Sequence, residues 1–465
     1  MAAIYGIYAH KLGKVNPRFR IPPMKDGSTS SYLEKSILNY VVTGLRALAH
    51  RGSDSMKITL SDRVYFSDTE LTESEVSGMV KSRGVQATGQ MSKLDKDRLS
   101  GTDSKTSIDG PLISRRMGVG SWAGFGSSYK TFREFDGKFS EKLDDAKSRD
   151  VYGAMAVAES HMNGALVREL DDGIVGMRTG SGYKPLFLIH AEDEENDLTM
   201  FSSEDFLANM LRQAHMKVES VPVGEGQMVF VGRDGVEKYG ARESVMPRYD
   251  PHEPLYTMHP DSKWNGKSVY RLRQSVGEGL ARLYPDVLSS ADLVTEIPYD
   301  PKIIAHGMSN CSGVAYDESL IKMDRYPVAP QRNYSLRNEQ SRFLSIDAVV
   351  EGKDMVLVDD SFITGGHIRD VRSVLHGKPR KISFVSAEAP IIEEMQVGAY
   401  SENWGLIARD CMSPSFDSIS DFNKVVSKWT GSNVYFNTPE NLANSLGTML
   451  EDLYFPPGMS SMNLI

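Results

Sequence analysis

The chain has 465 residues, 40% of them hydrophobic and 25% charged, and a net charge of −9. That length suffices for two or three domains with separate cores, and an acidic balance without any basic block argues against a nucleic-acid surface. No apolar run approaches the roughly 20 residues of a membrane helix, the opening Met-Ala-Ala-Ile-Tyr-Gly is not a signal peptide, and two cysteines, Cys311 and Cys411, exclude a disulfide framework or a four-cysteine metal or iron–sulfur site. A cytoplasmic protein with no membrane partner is expected.

The pattern divides near residue 250. Before it, short strands are expected at 57–60, 173–177, 186–189 and 226–232. Residues 32–49 place Leu33, Ile37, Val41, Leu45 and Leu48 at helical spacing. The stretch 81–116 is polar, rich in glycine and serine and without period, so it reads as a long loop or a mobile excursion. After residue 250, strand and helix alternate: helix 269–283, strand 293–297, helix 303–312, strand 355–358, helix 368–375, strand 381–386. That alternation predicts a parallel sheet with ligands at the carboxyl ends of its strands. Domains are expected at 1–248 and 249–465, the second with a C-terminal helical extension. No internal repeat is present.

One run carries the most chemistry, Met355-Val-Leu-Val-Asp-Asp-Ser-Phe-Ile-Thr-Gly-Gly-His367. An apolar strand delivers Asp359 and Asp360 to its end, and a hydroxyl- and glycine-rich turn starting at Ser361 leads into a helix. Backbone N–H groups at Thr364, Gly365, Gly366 and His367 can wrap a phosphate, helped by the helix dipole. Glycines at 365 and 366 let the backbone approach. The acid pair can hold ribose hydroxyls or a Mg²⁺ that carries a pyrophosphate. A buried parallel strand ending in a capped helix would show a similar order of residue types.

The run resembles the binding motif of phosphoribosyltransferases that use 5-phosphoribosyl-1-pyrophosphate (PRPP). From about residue 5 to about residue 455 the chain is similar, colinearly, to the glutamine PRPP amidotransferase (amidophosphoribosyltransferase) family, which opens purine biosynthesis. Glu253-Pro-Leu-Tyr-Thr-Met-His-Pro-Asp-Ser262 and Asn265-Gly-Lys-Ser-Val-Tyr-Arg-Leu-Arg273 resemble the family's link into its transferase domain. Ser319-Leu-Ile-Lys322 with Arg325-Tyr326 resembles its flexible-loop entrance, and Val349-Val-Glu-Gly-Lys353 leads into the PRPP motif as in the family. Gly52-Ser-Asp-Ser55 after Leu45-Arg-Ala-Leu-Ala-His-Arg51 resembles the glutaminase signature. The resemblance implies an Ntn-hydrolase-like αββα sandwich of the type 2 glutamine amidotransferases, joined to an α/β type I phosphoribosyltransferase domain. It further implies PRPP as substrate, Mg²⁺ as cofactor and a homo-oligomer, while the cysteine count leaves no place for an iron–sulfur cluster.

Departures from the family pattern shape the expected chemistry. The family's N-terminal cysteine precedes Gly-Ile, and here Tyr5 precedes Gly6-Ile7. A phenol with pKa near 10 behind four residues is no substitute for a terminal thiolate. The family's glycine-histidine-arginine stretch falls on Gly118-Val-Gly-Ser-Trp-Ala-Gly124, which lacks the arginine. Asn163-Gly164 reads either as a remnant of the oxyanion pair or, with Gly164-Ala165, as the start of a strand. Arg51 reads either as a carboxylate grip or as a structural arginine. The glutaminase is therefore expected to be silent.

In the transferase half, Tyr299-Asp300-Pro301 stands where the family carries Asp-Ser-Gly. By register Asp300 becomes a metal ligand with Asp359 and Asp360, since hard cations favour charged oxygen. Pro301 removes a backbone donor, and Lys302 is positioned to compensate. Lys322 and Arg332 fall where cations would meet the pyrophosphate. Arg325, Arg332 and Arg337 read equally well as solvated surface charges. Three functions remain open: a transferase forming phosphoribosylamine with ammonia from solution or a partner subunit, one using another acceptor, and a silent PRPP- or nucleotide-binding regulator.

Overall fold

A computed structural model describes residues 2–12, 37–48, 55–60, 63–67, 86–92, 106–109, 112–113, 122–123, 129–240, 246, 248–298, 301–322, 343–392, 406–411 and 418–455. They divide into two units, one up to Asp250 and one from Pro251 onward. The first unit opens with β1 (Ala2–Leu12), α1 (Ile37–Ala47), β2 (Ser55–Leu60), β3 (Arg63–Ser67), β4 (Gln86–Ser92) and β5 (Thr106–Asp109). Two short strands, β6 (Leu112–Ile113) and β7 (Trp122–Ala123), precede the helices α2 (Tyr129–Leu143) and α3 (Val151–His161). It continues with β8 (Ala165–Leu170), β9 (Gly173–Arg178), β10 (Phe187–Glu192), β11 (Asn196–Ser202), α4 (Phe206–Gln213), β12 (Lys217–Pro222), β13 (Gln227–Gly232) and β14 (Gly235–Tyr239).

Two antiparallel sheets result, ordered β12-β10-β11-β1-β4-β2-β3 and β14-β13-β9-β8-β5. The period-2 alternation of β1 builds the layers. Tyr5, Ile7 and Ala9 join Tyr40, Val41 and Leu45 of α1 and Phe206 and Leu211 of α4 in one core. Ile4 and Tyr8 face the other way, into a core with Val167 of β8, Ile174 of β9 and Val229 of β13. A third core packs Phe135 and Phe139 of α2 and Ala158 of α3 on Leu166, Val175 and Met177. The order is thus helices, sheet, sheet, helices. Strands β8 and β9 are buried at every residue because both their faces are covered. Arg168 stays inside such a strand by pairing with Asp136 and Asp144, each at 2.9 Å.

The expectation of a long loop or mobile excursion over 81–116 is overturned at residues 86–92, 106–109 and 112–113. The stretch contains β4, β5 and β6, and β4 lies inside the seven-stranded sheet, paired with β1 on one side and β2 on the other. Its sequence, Gln-Ala-Thr-Gly-Gln-Met-Ser, has no apolar alternation. Ladder bonds on both edges supply what the side-chain pattern lacks, a case of tertiary context overriding propensity.

In the second unit, β15 (Lys263–Trp264) and β16 (Lys267–Ser268) form a small hairpin ahead of α5 (Val269–Leu283) and α6 (Pro285–Ser289). Then come β17 (Leu293–Glu296), α7 (Lys302–Ser312), β18 (Leu320–Lys322), β19 (Phe343–Ser345), α8 (Asp347–Val350) and β20 (Asp354–Asp359). The chain closes with α9 (Gly366–Leu375), β21 (Lys381–Ser386), α10 (Ile407–Cys411), α11 (Ile419–Thr430), β22 (Asn433–Phe436) and α12 (Pro439–Leu446). Strands β17-β20-β21-β22 form a parallel sheet in that order. Tyr316 makes a parallel bridge to Val294 on the other side of β17. The chain leaves β17 toward Tyr316 and returns on the opposite side as β20, so the topology switches between β17 and β20.

Helices α5 and α7 meet backbone to backbone. A Cβ on Gly277 would stand 2.0 Å from the Ile304 carbonyl oxygen, and one on Gly307 would stand 2.2 Å from that of Gln274. Gly137, inside α2, has nothing within 4 Å of such a Cβ. Gly277→Ala should therefore cost about 1–3 kcal/mol through forced separation of the helices, whereas Gly137→Ala should add about 0.5–1 kcal/mol by relieving a helical glycine. Urea midpoints of the two variants should move in opposite directions; an unshifted Gly277→Ala would contradict the close approach.

Candidate functional site

The acid pair sits at the carboxyl end of β20, beside the topological switch, where open parallel sheets hold their ligands. Strand pairing continues past the strand end. Ile297 N–H donates to the Val358 carbonyl at 2.8 Å, Ala387 N–H to that of Asp359 at 2.9 Å, and Glu388 N–H to that of Asp360 at 2.9 Å. Asp359 is 1% exposed and Asp360 7%. Burial of carboxylates is costly unless they are hydrogen-bonded. Asp359 Oδ1 accepts from the Asp360 N–H at 3.1 Å, and its Oδ2 lies 2.9 Å from His367 Nδ1. Asp360 Oδ2 accepts from the Ser361 hydroxyl at 2.7 Å.

The loop between acid pair and helix is pinned by Phe362. Its ring is 2% exposed and meets Phe384 and Phe436 edge-on, at centroid distances of 6.3 and 5.8 Å. Thr364 Oγ1 accepts from the Gly366 N–H at 3.3 Å. Gly365, the residue before α9, has φ +69°, and a Cβ there would also meet Ile407 at 3.0 Å. Only glycine fits that position without strain. The first N–H groups of α9 have no carbonyl partner within the helix, which leaves this end suited to an anion.

Asp359, Asp360, Ser361, Thr364, Gly365, Gly366 and His367 thus form one continuous constellation. Lys322 ends β18 opposite Phe343 in the antiparallel register, and the Phe343 ring meets His367 edge-on at 5.8 Å. Lys302, the first residue of α7, places its ammonium on the Glu318 carboxylate. Tyr299, Asp300, Arg325, Arg332 and Arg337 lie outside the described residues, as does Arg51. Pro301 directly precedes α7.

Four contributors went unread in the sequence: Phe362, Glu388, His252 and Asn437. Phe362 was signalled by being an aromatic inside a small-residue loop. Glu388 and His252 are bonded at 2.7 Å with 1% and 2% of their side chains exposed. Asn437 is fully buried and donates to the Ala387 carbonyl at 2.8 Å. Pairings 136 and 50 residues apart leave no local trace.

In the first unit, Tyr5 is 2% exposed, and its hydroxyl lies 2.9 Å from Met200 Sδ. Its ring fills the space over Gly44, where a Cβ would come within 2.7 Å. Burial, reinforced by Tyr40, pushes its phenol pKa well above the ordinary value. The Gly164 N–H donates to Thr179 Oγ1 at 2.8 Å, Asn163 Oδ1 accepts from the Ser181 hydroxyl, and Ala165 starts β8.

No family model matches the chain. Among curated proteins it is similar to the amidophosphoribosyltransferases of Synechocystis sp. (28% identical over 210 residues, 44% of this chain and 41% of that one) and Methanocaldococcus jannaschii (31% over 215 residues, 43% and 44%). That of Pyrococcus horikoshii is 30% identical over 250 residues, 52% of each chain. The chain thus spans about half the length of the curated relatives it matches. Two solved structures share its fold at 18% identity. They are the glutamine PRPP amidotransferase of B. subtilis complexed with ADP and GMP (TM-score 0.67, covering 96% of this chain and 92% of that one) and an allosteric regulatory enzyme of purine biosynthesis (0.69; 97% and 94%). The fold is that of the PRPP amidotransferases. In sequence the chain is similar to amidophosphoribosyltransferases over about half of its length.

At the end of β17, Glu296 is 5% exposed and accepts from the Tyr316 hydroxyl at 2.8 Å. Burial raises its pKa, and the Tyr316 hydrogen bond offsets this in part. A carboxyl group with a raised pKa holds its proton more tightly when folded, so its contribution to stability is present at low pH and is lost as pH rises through the folded value. Wild type should therefore lose stability relative to Glu296→Gln as pH climbs from about 4.5 to about 7. Parallel urea unfolding of both proteins would test this; a constant gap across that window would contradict it.

Proposed function

We propose that this chain is a PRPP-dependent phosphoribosyltransferase that forms phosphoribosylamine from ammonia and does not draw on glutamine. The observation that carries this reading is the acid pair and phosphate-type loop at the carboxyl end of β20, beside the switch point. The second unit is read as a type I phosphoribosyltransferase domain, and the first as an Ntn-hydrolase-type sandwich kept as scaffold. Tyr5, sealed in the core, supports a silent glutaminase, as does the engagement of the Gly164 N–H by Thr179. Among the described residues no helix is long and apolar enough to cross a membrane.

In the proposed reaction the 5′-phosphate lies on the backbone N–H groups around Thr364–His367. Asp359 and Asp360 accept hydrogen bonds from the ribose hydroxyls. This remote anchoring orients the anomeric carbon for attack. The ammonia lone pair forms the C–N bond as the C–O bond to pyrophosphate breaks, and the extra proton on nitrogen passes to solvent. Among the described residues no group of three or more acidic, histidine or cysteine side chains could cage a metal. An acid pair alone suits Mg²⁺, which takes one or two carboxylates together with substrate phosphates. Asp359 and Asp360, with Asp300 as a third candidate, would hold it, and when bound it would neutralise the leaving pyrophosphate. Ammonia would come from solution or from a separate subunit.

A silent PRPP-binding regulator is the second reading. It is favoured by Pro301 before α7 and by Lys302 turned onto Glu318, which weaken the pyrophosphate side of the site.

Two measurements test these readings. Asp359→Asn with Asp360→Asn should weaken PRPP binding at least tenfold, about 1.4 kcal/mol; unchanged calorimetric affinity would remove the site. With PRPP, Mg²⁺ and fixed total ammonium, pyrophosphate release should rise roughly tenfold per pH unit between about pH 7 and 9, because only unprotonated ammonia attacks. Equal rates with glutamine, or a flat profile, would sink the ammonia reading, and no release with either donor would favour the regulator.

A further inference from the structure

A cleft of about 600 Å³ lies at the end of the parallel sheet opposite the acid pair. It is framed by the last turns of α9 and α11 and the first residues of β21 and β22. Its wall carries Arg372, His376, Arg380, Lys381, Lys428 and Asn433, with Ser427 and Ser432 beside them. Register puts Lys381 beside Asp354 and Ser386 beside Asp359. Five strand steps, roughly 17 Å, therefore separate this cleft from the acid pair. It shares no lining residue with the site at Asp359–His367.

Four permanent cations and a histidine converge here without one carboxylate in the lining, in a chain of net charge −9. Part of that charge has a structural explanation. Arg372 donates to the Thr430 carbonyl at the end of α11 and lies over Gly431, whose φ is +64°. Arg380 is held by Asp292 at 2.9 Å and Asp354 at 3.1 Å, both outside the lining. These bonds fix the two guanidinium groups in place on the wall. Lys381 and Lys428 have no ion-pair partner among the described residues. Two oriented arginines and two lysines carry only donors, and the Ser432 hydroxyl beside them can donate as well. Phosphate oxygens, which only accept, match these donors.

We propose that this cleft binds a small phosphorylated molecule, at a site separate from the one at the acid pair. The volume is that of a pocket for one ligand. A long nucleic acid would have to lie along a protein whose overall charge repels it. The proposal does not depend on the chain being a transferase.

Tripolyphosphate, without Mg²⁺, in low-salt chloride buffer is the probe. Calorimetry should show binding to wild type, and Lys381→Glu with Lys428→Glu should weaken it at least tenfold. Lys381→Gln with Lys428→Gln should weaken it less, since it removes attraction without adding repulsion. Both pairs are surface-exposed, and an unfolding midpoint equal to wild type confirms that each variant is folded. Hydrogen exchange should slow at amides 376–382 and 427–433 on binding. Three results would overturn the proposal: no binding to wild type, equal affinity in the charge-reversed variant, or protection confined to 364–367. Tighter binding of a single-stranded oligonucleotide than of tripolyphosphate, lost in the same variant, would reassign the cleft to nucleic acid.

Discussion

The parallel ladder between β20 and its two neighbours is the constraint on which the second unit depends. It does not stop where the strands stop, because backbone bonds from Ile297, Ala387 and Glu388 run past the strand ends to Val358, Asp359 and Asp360. Two carboxylates are thereby buried at the end of a central strand. A slip of one residue would turn every side chain of β20 to the opposite face and carry Asp359 with it. The apolar run Met355–Val358, buried throughout, fixes the register, and Phe362 fixes the loop that follows. Hydrophobic packing therefore sets the position of the polar groups, and hydrogen bonds to those groups make the burial tolerable.

Buried hydrogen-bonded pairs play the same part on each side of residue 250. In the first unit Lys184 and Asp250 meet at 2.6 Å with 1% and 0% of their side chains exposed. In the second, His252 is held on Glu388, whose own backbone N–H is bonded to Asp360. Such pairs add little net stability because desolvation offsets most of their attraction. They do penalise any arrangement that separates the partners. The chain near residue 250 is thus tied into each unit's own core. Glu388 links its side of that anchor to the same strand end that carries the acid pair.

Legibility in the sequence followed the reach of the forces involved. Helix α5 spans Val269–Leu283 as its periodicity predicts, and β21 spans Lys381–Ser386, since each has a buried face written locally. The constellation from Asp359 to His367 was legible because strand, acids, glycines and helix are contiguous. Strand β4 was not, because its stability comes from two partner strands rather than from its own side chains. Nor were His252 and Asn437, whose roles depend on residues brought together only by the sheet. Asp300 and Arg332 lie outside the described residues.

Tyr5 shows how packing and chemistry part company at one position. β1 runs through the middle of the larger sheet, paired with β11 and β4, so its side chains must fill two cores whatever else they do. A ring at position 5 meets that demand: it closes over Gly44 and finds Met200 for its hydroxyl. The same burial that makes it a good core residue removes it as a nucleophile, because a desolvated phenol resists ionisation. A small reactive side chain would instead leave space open beside α1. A core completed by this aromatic ring can keep the layered architecture with no chemistry at that position, and this is why the first unit's fold carries no information about whether it cleaves glutamine.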